Sequence, residues 1–351
     1  MTQPETNAVT YPIPAPFSAV SRVVHRVRAS AIALLDACGA FEWVAASYLG
    51  LSGLLMMIFA KNLPRAARLL SIHGGFIAAV LALAFFGRKS QPATEDRTAL
   101  ARFLQAVRIW YPQAVFLFCF EELGALMHLT YGGWRDKWLL AFDRWLTGVY
   151  PAVWLAHIAR PALTDFMHFA YLTYFFYLII LALILYFRGP DSRLGRDANH
   201  FAFWSVMTGS MAAYAIGYTI SIFFPIESPY FSLAALHLPP LHGGPFTFLS
   251  DLIERFGRVH GGAFPSEHVA GSFVALLGTW KYQRKLFWIY LPLFVCMCAS
   301  TVYVRNHYIA DVLAGLVTGA VGFWMGERLM RLPGANPELR NRRLKSPAAA
   351  E

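Results

Sequence analysis

Two histidines and an aspartate toward the C-terminal end carry the chemistry expected of this chain. Phe264-Pro265-Ser266-Glu267-His268 is followed, after two apolar segments (Val269–Trp280 and Leu286–Val304), by His307-Tyr308-Ile309-Ala310-Asp311. A polar turn, Lys281-Tyr282-Gln283-Arg284-Lys285, separates the two segments. Each segment with its flanks approaches the roughly 20 residues that cross a bilayer. The chain thus leaves one membrane face and returns to it, bringing His268 and His307 to the same side. His307 and Asp311 share a face of any helix that starts there, being four residues apart. Ser266 is placed to N-cap the helix that carries His268, with Pro265 just ahead of it. That helix start offers unpaired N–H groups and a positive dipole end to a phosphate.

In this pattern His307 has the setting of a nucleophile oriented by a carboxylate, Asp311. His268 is the group to protonate a leaving oxygen and later deprotonate an acceptor. Ser266 and Arg305 are the candidate substrate-binding residues, Arg305 by neutralising phosphoryl charge. No metal and no other cofactor is expected, because these loops lack the carboxylate clusters that hold magnesium. Plainer roles stand beside these. A histidine at a span end also serves as an interfacial hydrogen-bonding residue, and Arg305 as a snorkelling one. Glu121 and Glu122, inside an apolar span, are expected to pair with Arg or His of another helix, with a proton path as the lesser alternative. His128, His168 and the Tyr171–Tyr177 run read as packing and interface belt. His242 and His260 are loop residues without a spacing argument.

The elements that must position these groups are membrane helices. Of 351 residues, 57% are hydrophobic, 16% aromatic and only 14% charged, which excludes an ordinary soluble domain. The net charge of +10 bears on topology and anionic lipid surfaces, and no basic run is interleaved with aromatics as nucleic-acid binding requires. Cys119, Cys296 and Cys298 fall in apolar spans and Cys38 just before one, so neither a disulfide framework nor a metal site is expected. The first 40 residues hold no short apolar core with a cleavage site, so a removable signal peptide is not expected.

Residues 1–40 form a tail in which Phe17–Leu35 reads either as a basic amphipathic interfacial helix or as a solvated lead-in. Residues 41–87 hold two spans, Phe41–Ala60 and Leu69–Phe86. The polar connector Gly87–Arg108 separates them from residues 109–326, where six more spans follow: Ile109–Leu129, Thr164–Phe187, Phe201–Phe224, His268–Trp280, Leu286–Val304 and Ile309–Met325. Residues 327–351 are a basic tail. The expected fold is all-α: a polytopic membrane protein with a six-helix core and two leading helices. Basic residues crowd the turns at 188–200 and 281–285 and the C-terminal tail, which assigns these to the cytoplasm. The longer loops 130–163 and 225–267, with 305–308, then lie on the non-cytoplasmic face, together with the histidines.

Phe264–His268 and Ser300-Thr301-Val302-Tyr303-Val304-Arg305-Asn306-His307-Tyr308-Ile309-Ala310-Asp311 resemble the last two motifs of the phosphatidic-acid phosphatase type 2 superfamily. The resemblance implies a six-helix, metal-independent membrane enzyme working through a phosphohistidine, with His307 the nucleophile, Asp311 its partner and His268 the acid and base. The chain departs from the usual pattern. Glu267 stands where glycine is common, Thr301 where an arginine follows the serine, and Phe224-Pro225-Ile226-Glu227-Ser228-Pro229-Tyr230 where a Lys and Arg-Pro motif is expected. These features, with Asp143-Arg144-Trp145-Leu146-Thr147-Gly148-Val149-Tyr150-Pro151 and the aromatic run Asp165–Tyr177, are similar to the inositol phosphorylceramide synthase (aureobasidin-resistance) branch. That branch implies a phospholipid donor and a lipid-alcohol acceptor such as ceramide, with phosphoinositol as a candidate headgroup. The alternative is a phosphatase acting on phosphatidic acid or polyprenyl phosphate. The expected location is a bacterial inner membrane.

Overall fold

The computed structural model describes residues 21–25, 38–89, 99–188, 195–236, 239–257, 259–332 and 335. Among the described residues every regular element is a helix, as an apolar chain that must satisfy its own backbone in lipid requires. In chain order these are α1 (Ala40–Ile58), α2 (Ala66–Lys89), α3 (Ala99–Leu126), α4 (Asp136–Thr147), α5 (Pro151–His157), α6 (Pro161–Leu172), α7 (Tyr174–Phe187), α8 (Gly195–Phe223), α9 (Pro229–Ser232), α10 (Pro245–Gly257), α11 (Glu267–Tyr282), α12 (Arg284–Tyr303) and α13 (Ile309–Leu329). The expected helix over Phe17–Leu35 falls mostly outside the described residues, of which 21–25 are helical and exposed.

Among the described residues six stretches, against eight expected in the chain, are long and apolar enough to cross a membrane: α1, α2, α6 with α7, α8, α12 and α13. Of the other two, α11 has 16 residues, about 24 Å of helix. It can be short because it is the centre of the bundle, with Val269, Ala270, Val274 and Ala275 wholly or almost wholly buried. Helix α3 carries Pro112 and the acidic pair Glu121 and Glu122. The fourth span is broken at Thr173, whose hydroxyl donates to the Ala170 carbonyl, a back-bond that bends helices.

Helix α13 is wedged between α8 and α11 by glycines. A Cβ on Gly315 would lie 2.6 Å from the Ser266 carbonyl oxygen, and one on Gly319 2.7 Å from that of Ala270. On the opposite face a Cβ on Gly322 would meet the Gly209 carbonyl at 2.6 Å. Small residues at helix crossings let backbones approach this closely in membranes. The leading helices are tied on by buried polar contacts: His73 of α2 donates from Nε2 to the Leu49 carbonyl of α1 (2.7 Å) and meets Glu122 of α3 through Nδ1 (2.7 Å). Glu122 thus takes the histidine partner its sequence position called for.

The two ends of the bundle differ. At one, Glu327 gathers Lys281, Tyr282 and Arg331. At the other, the long loops meet: Arg135 N–H donates to the Pro225 carbonyl, Ala263 N–H to that of Ile226 and Ser266 N–H to that of Asp311. Two amphipathic helices, α4 and α10, lie here with Trp138, Trp145, Phe248 and Phe256 exposed, as side chains at a membrane interface are. Replacing Gly315 with alanine is expected to cost about 1–3 kcal/mol of stability by pushing on the Ser266 carbonyl. Val317→Ala, on the exposed face of the same helix, is expected to change little; thermal unfolding of both in detergent checks this.

Candidate active site

The first histidine is set by the start of α11. Ser266 is the N-cap: its Oγ accepts the Val269 N–H (3.4 Å), and its own N–H is held by the Asp311 carbonyl (3.1 Å). Ser266 is fully buried in this role and does not line the cavity beside the histidines. His268 follows in the first turn.

The second histidine is set by the end of α12, which closes with two hydrogen bonds: Asn306 N–H donates to the Thr301 carbonyl and Arg305 N–H to that of Val302. This is the Schellman arrangement, and Arg305 occupies its left-handed position at φ 67°, where glycine is usual. The turn reverses the chain and presents His307. It also sends the Arg305 side chain elsewhere: Nη2 donates to the Pro239 carbonyl (2.8 Å), and the guanidinium lines a neighbouring cavity.

A single proton arrangement satisfies the histidine pair. His307 Nδ1 lies 2.9 Å from the Ala263 carbonyl oxygen, which can only accept, so Nδ1 carries hydrogen and Nε2 its lone pair. That lone pair faces His268 Nδ1 at 3.1 Å, which must donate. His268 Nε2 in turn meets the Tyr171 hydroxyl at 3.0 Å. Tyr174 packs edge-on against the His268 ring, centroids 4.3 Å apart. Burial, and then the neighbouring His268, push His307 well below the ordinary histidine range, which keeps it neutral. The glycines Gly261 (φ 105°) and Gly262 (φ 75°) give the loop the left-handed turn that brings the Ala263 carbonyl to His307.

Asp311 lies 3.3 Å from His307 Nδ1, further than the Ala263 carbonyl, and its closest bond is from the Tyr308 N–H (2.7 Å). It therefore caps α13 and shares the orienting of His307 with a backbone oxygen. Two further carboxylates brace this segment from α4. Asp143, 1% exposed, accepts the N–H groups of Ile309 (2.9 Å) and Ala310 (3.0 Å). Burial raises its carboxyl above the ordinary range, and those two bonds draw it back. Asp136 accepts the Tyr308 hydroxyl (2.7 Å) and the N–H groups of Glu227 and Ser228.

Two adjoining cavities open here. The one beside the histidines, about 110 Å³, is lined by Tyr171, Tyr174, Glu227, Glu254, Glu267, His268, Asn306 and His307 among others; none of its described lining residues is Lys or Arg. The second, about 500 Å³, shares Phe231 and Glu254 with it and adds His168, Tyr230, Asp251, Arg255 and Arg305. His168 is 4% exposed with no partner for either ring nitrogen among the described residues. No group of His, Cys, Asp or Glu fit to hold a metal occurs among the described residues.

Sequence reasoning brought forward His268, His307 and Asp311, which meet here, and Ser266 and Arg305, which turn to structural contacts. It read Tyr171 and His168 as packing residues and gave Asp136 and Asp143 no role. The signal for the aspartates was their spacing of seven on an amphipathic helix, which puts both on one face. Asp143→Ala is expected to lower stability by about 1–2 kcal/mol and to depress turnover, and Asp143→Asn, with one accepting oxygen, to do less of both. Thermal unfolding and turnover in detergent measure this.

Comparison with known proteins gives the family. A family model described as the PAP2 superfamily matches residues 137–325, which open in α4 and close in α13 and leave α1–α3 outside. The chain is 23% identical over 165 residues to a Dictyostelium discoideum protein described as a PA-phosphatase related-family protein. That alignment takes in 44% of this chain and 30% of the other, so the chain spans under a third of its relative. No solved structure matches it. Neither match names the inositol phosphorylceramide synthase branch. A match over more than half of the chain, enclosing the facing histidines and Asp311, shows that this protein belongs to the PAP2 superfamily.

Proposed function

We propose that the protein is a membrane phosphotransferase that moves a phospho-headgroup from a phospholipid to a lipid alcohol by way of His307. The observation that carries this reading is the 3.1 Å contact between His268 Nδ1 and the lone-pair nitrogen of His307. As the phosphodiester anion enters between the two rings, His268, which burial keeps neutral before substrate binds, takes up a proton and releases its hydrogen bond to His307. His307 Nε2 attacks phosphorus as the ester bond to the leaving alcohol breaks, and His268 gives its Nδ1 proton to the leaving oxygen. The lipid alcohol then attacks the phosphohistidine, His268 takes its proton, and the bond between His307 Nε2 and phosphorus breaks. Asp311 and the Ala263 carbonyl hold the Nδ1 proton of His307 throughout. Ser266 and Arg305 support the site by holding the backbone, as N-cap and left-handed turn residue.

Charge favours a phosphodiester donor over a phosphomonoester. Glu227 and Glu254 line the histidine cavity and would oppose a dianion more strongly than a monoanion. The second cavity, with carboxylates, guanidinium groups and an imidazole, offers both donors and acceptors to a headgroup such as phosphoinositol. Hydrolysis is the competing outcome, favoured by the description of the Dictyostelium relative; the two reactions differ only in whether water or an alcohol attacks. The basic residues around Glu327 at the far end support a site on the non-cytoplasmic face.

Headgroup-labelled phosphatidylinositol in mixed micelles, with and without ceramide and beside labelled phosphatidic acid, tests the reading. Label is expected in a new lipid only when ceramide is present, and none with His307→Ala. Inorganic phosphate from phosphatidic acid as the sole product would overturn the transferase in favour of the phosphatase. Because His307 must be neutral to attack and burial holds it so, the acid limb of the rate profile is expected below the ordinary histidine range.

A further inference from the structure

Glu267 is the one departure in the histidine motifs that lines the cavity beside the two histidines. It is the first residue of α11, 8% exposed, and lines the same cavity as His268 and His307. Its Oε1 is buried without a hydrogen-bond partner among the described residues. The side chain occupies space left by Gly217 of α8, where a Cβ would come within 2.8 Å of Oε1. Among the described residues, the groups that feel it electrostatically are the hydroxyls of Tyr48, Tyr214 and Tyr218 and the carboxyl of Asp311, none of them a cation. A carboxylate buried with only its own backbone N–H as donor and no cation beside it among the described residues is costly, whereas a protonated carboxyl in the same place is itself a hydrogen-bond donor. Phosphoryl transfer needs such donors where charge develops, and a carboxyl kept neutral by its surroundings can supply one.

We propose that Glu267 is a catalytic hydrogen-bond donor, whose protonated carboxyl faces a non-bridging phosphoryl oxygen and meets the charge arising there as His307 attacks. This rests on the phosphotransfer reading above. It assigns to a neutral acid the part that an arginine or lysine would otherwise take, and so fits the cavity to a phosphodiester monoanion. The proton stays on the carboxyl through the step, so the proton balance of His268 is unchanged.

Two variants and one spectrum test it. Glu267→Gln keeps a donor of the same shape and is expected to lower kcat by only a few-fold. Glu267→Gly keeps the helix start but removes the donor, and is expected to lower kcat on labelled phosphatidylinositol by about 100-fold, with KM much less affected. Gly217→Ala, which crowds the carboxyl without removing it, is expected to lower kcat while the protein remains folded by thermal melt. In the infrared difference between wild type and Glu267→Gln at neutral pH, a protonated-carboxyl band is expected, and orthovanadate, binding as a phosphoryl mimic, should shift it. Full activity in Glu267→Gly, equal losses in the Gln and Gly variants, or an ionised-carboxylate band would overturn the proposal. If wild type itself shows no turnover beyond His307→Ala, the reading beneath it fails, and the proposal with it; the infrared shift with orthovanadate separates these two failures.

Discussion

The start of α13 is the point on which the site depends. His307 and Asp311 flank it, the Asp311 carbonyl holds the Ser266 N–H ahead of His268, and Asp143 and Asp136 grip it from α4. Below this end the glycine faces of α13 allow it to lie against α8 and α11 at backbone contact. Helix packing thus fixes depth and direction, and the carboxylates fix the last turn. Movement of α13 along its axis would break Asp143 and Ser266 contacts together, so the two histidines keep their spacing as one rigid unit.

Burial does the electrostatic work. His307 is held neutral because charge there would be poorly solvated and would face a second histidine. Its lone-pair nitrogen is defined by a backbone carbonyl, which cannot change protonation, and Asp311 serves chiefly as a cap. The orientation of His307 is therefore less sensitive to the state of Asp311 than a simple carboxylate–histidine pair would be.

Much of this was legible in the chain. The apolar runs and their lengths gave an all-helical membrane bundle, and the histidine spacing around a helical hairpin brought His268 and His307 to one face. Ser266 read correctly as an N-cap for the same reason any serine before an apolar run does. Arg305 was less legible: arginine seldom occupies a left-handed helix stop, so its side chain was expected at the phosphate when the backbone turn directs it to Pro239. Tyr171 looked like interface belt because aromatic runs at span ends usually are, and only the break at Thr173 turns it to His268. Asp136 and Asp143 act over more than 160 residues of sequence, a separation from which no local pattern speaks.

The most direct measurement is of the covalent intermediate. Wild-type protein incubated with headgroup-labelled phosphatidylinositol without acceptor, quenched in alkali and digested, should yield a labelled, acid-labile peptide containing His307, chased into lipid by ceramide. Label on another residue, or equal label in His307→Ala, would contradict the account.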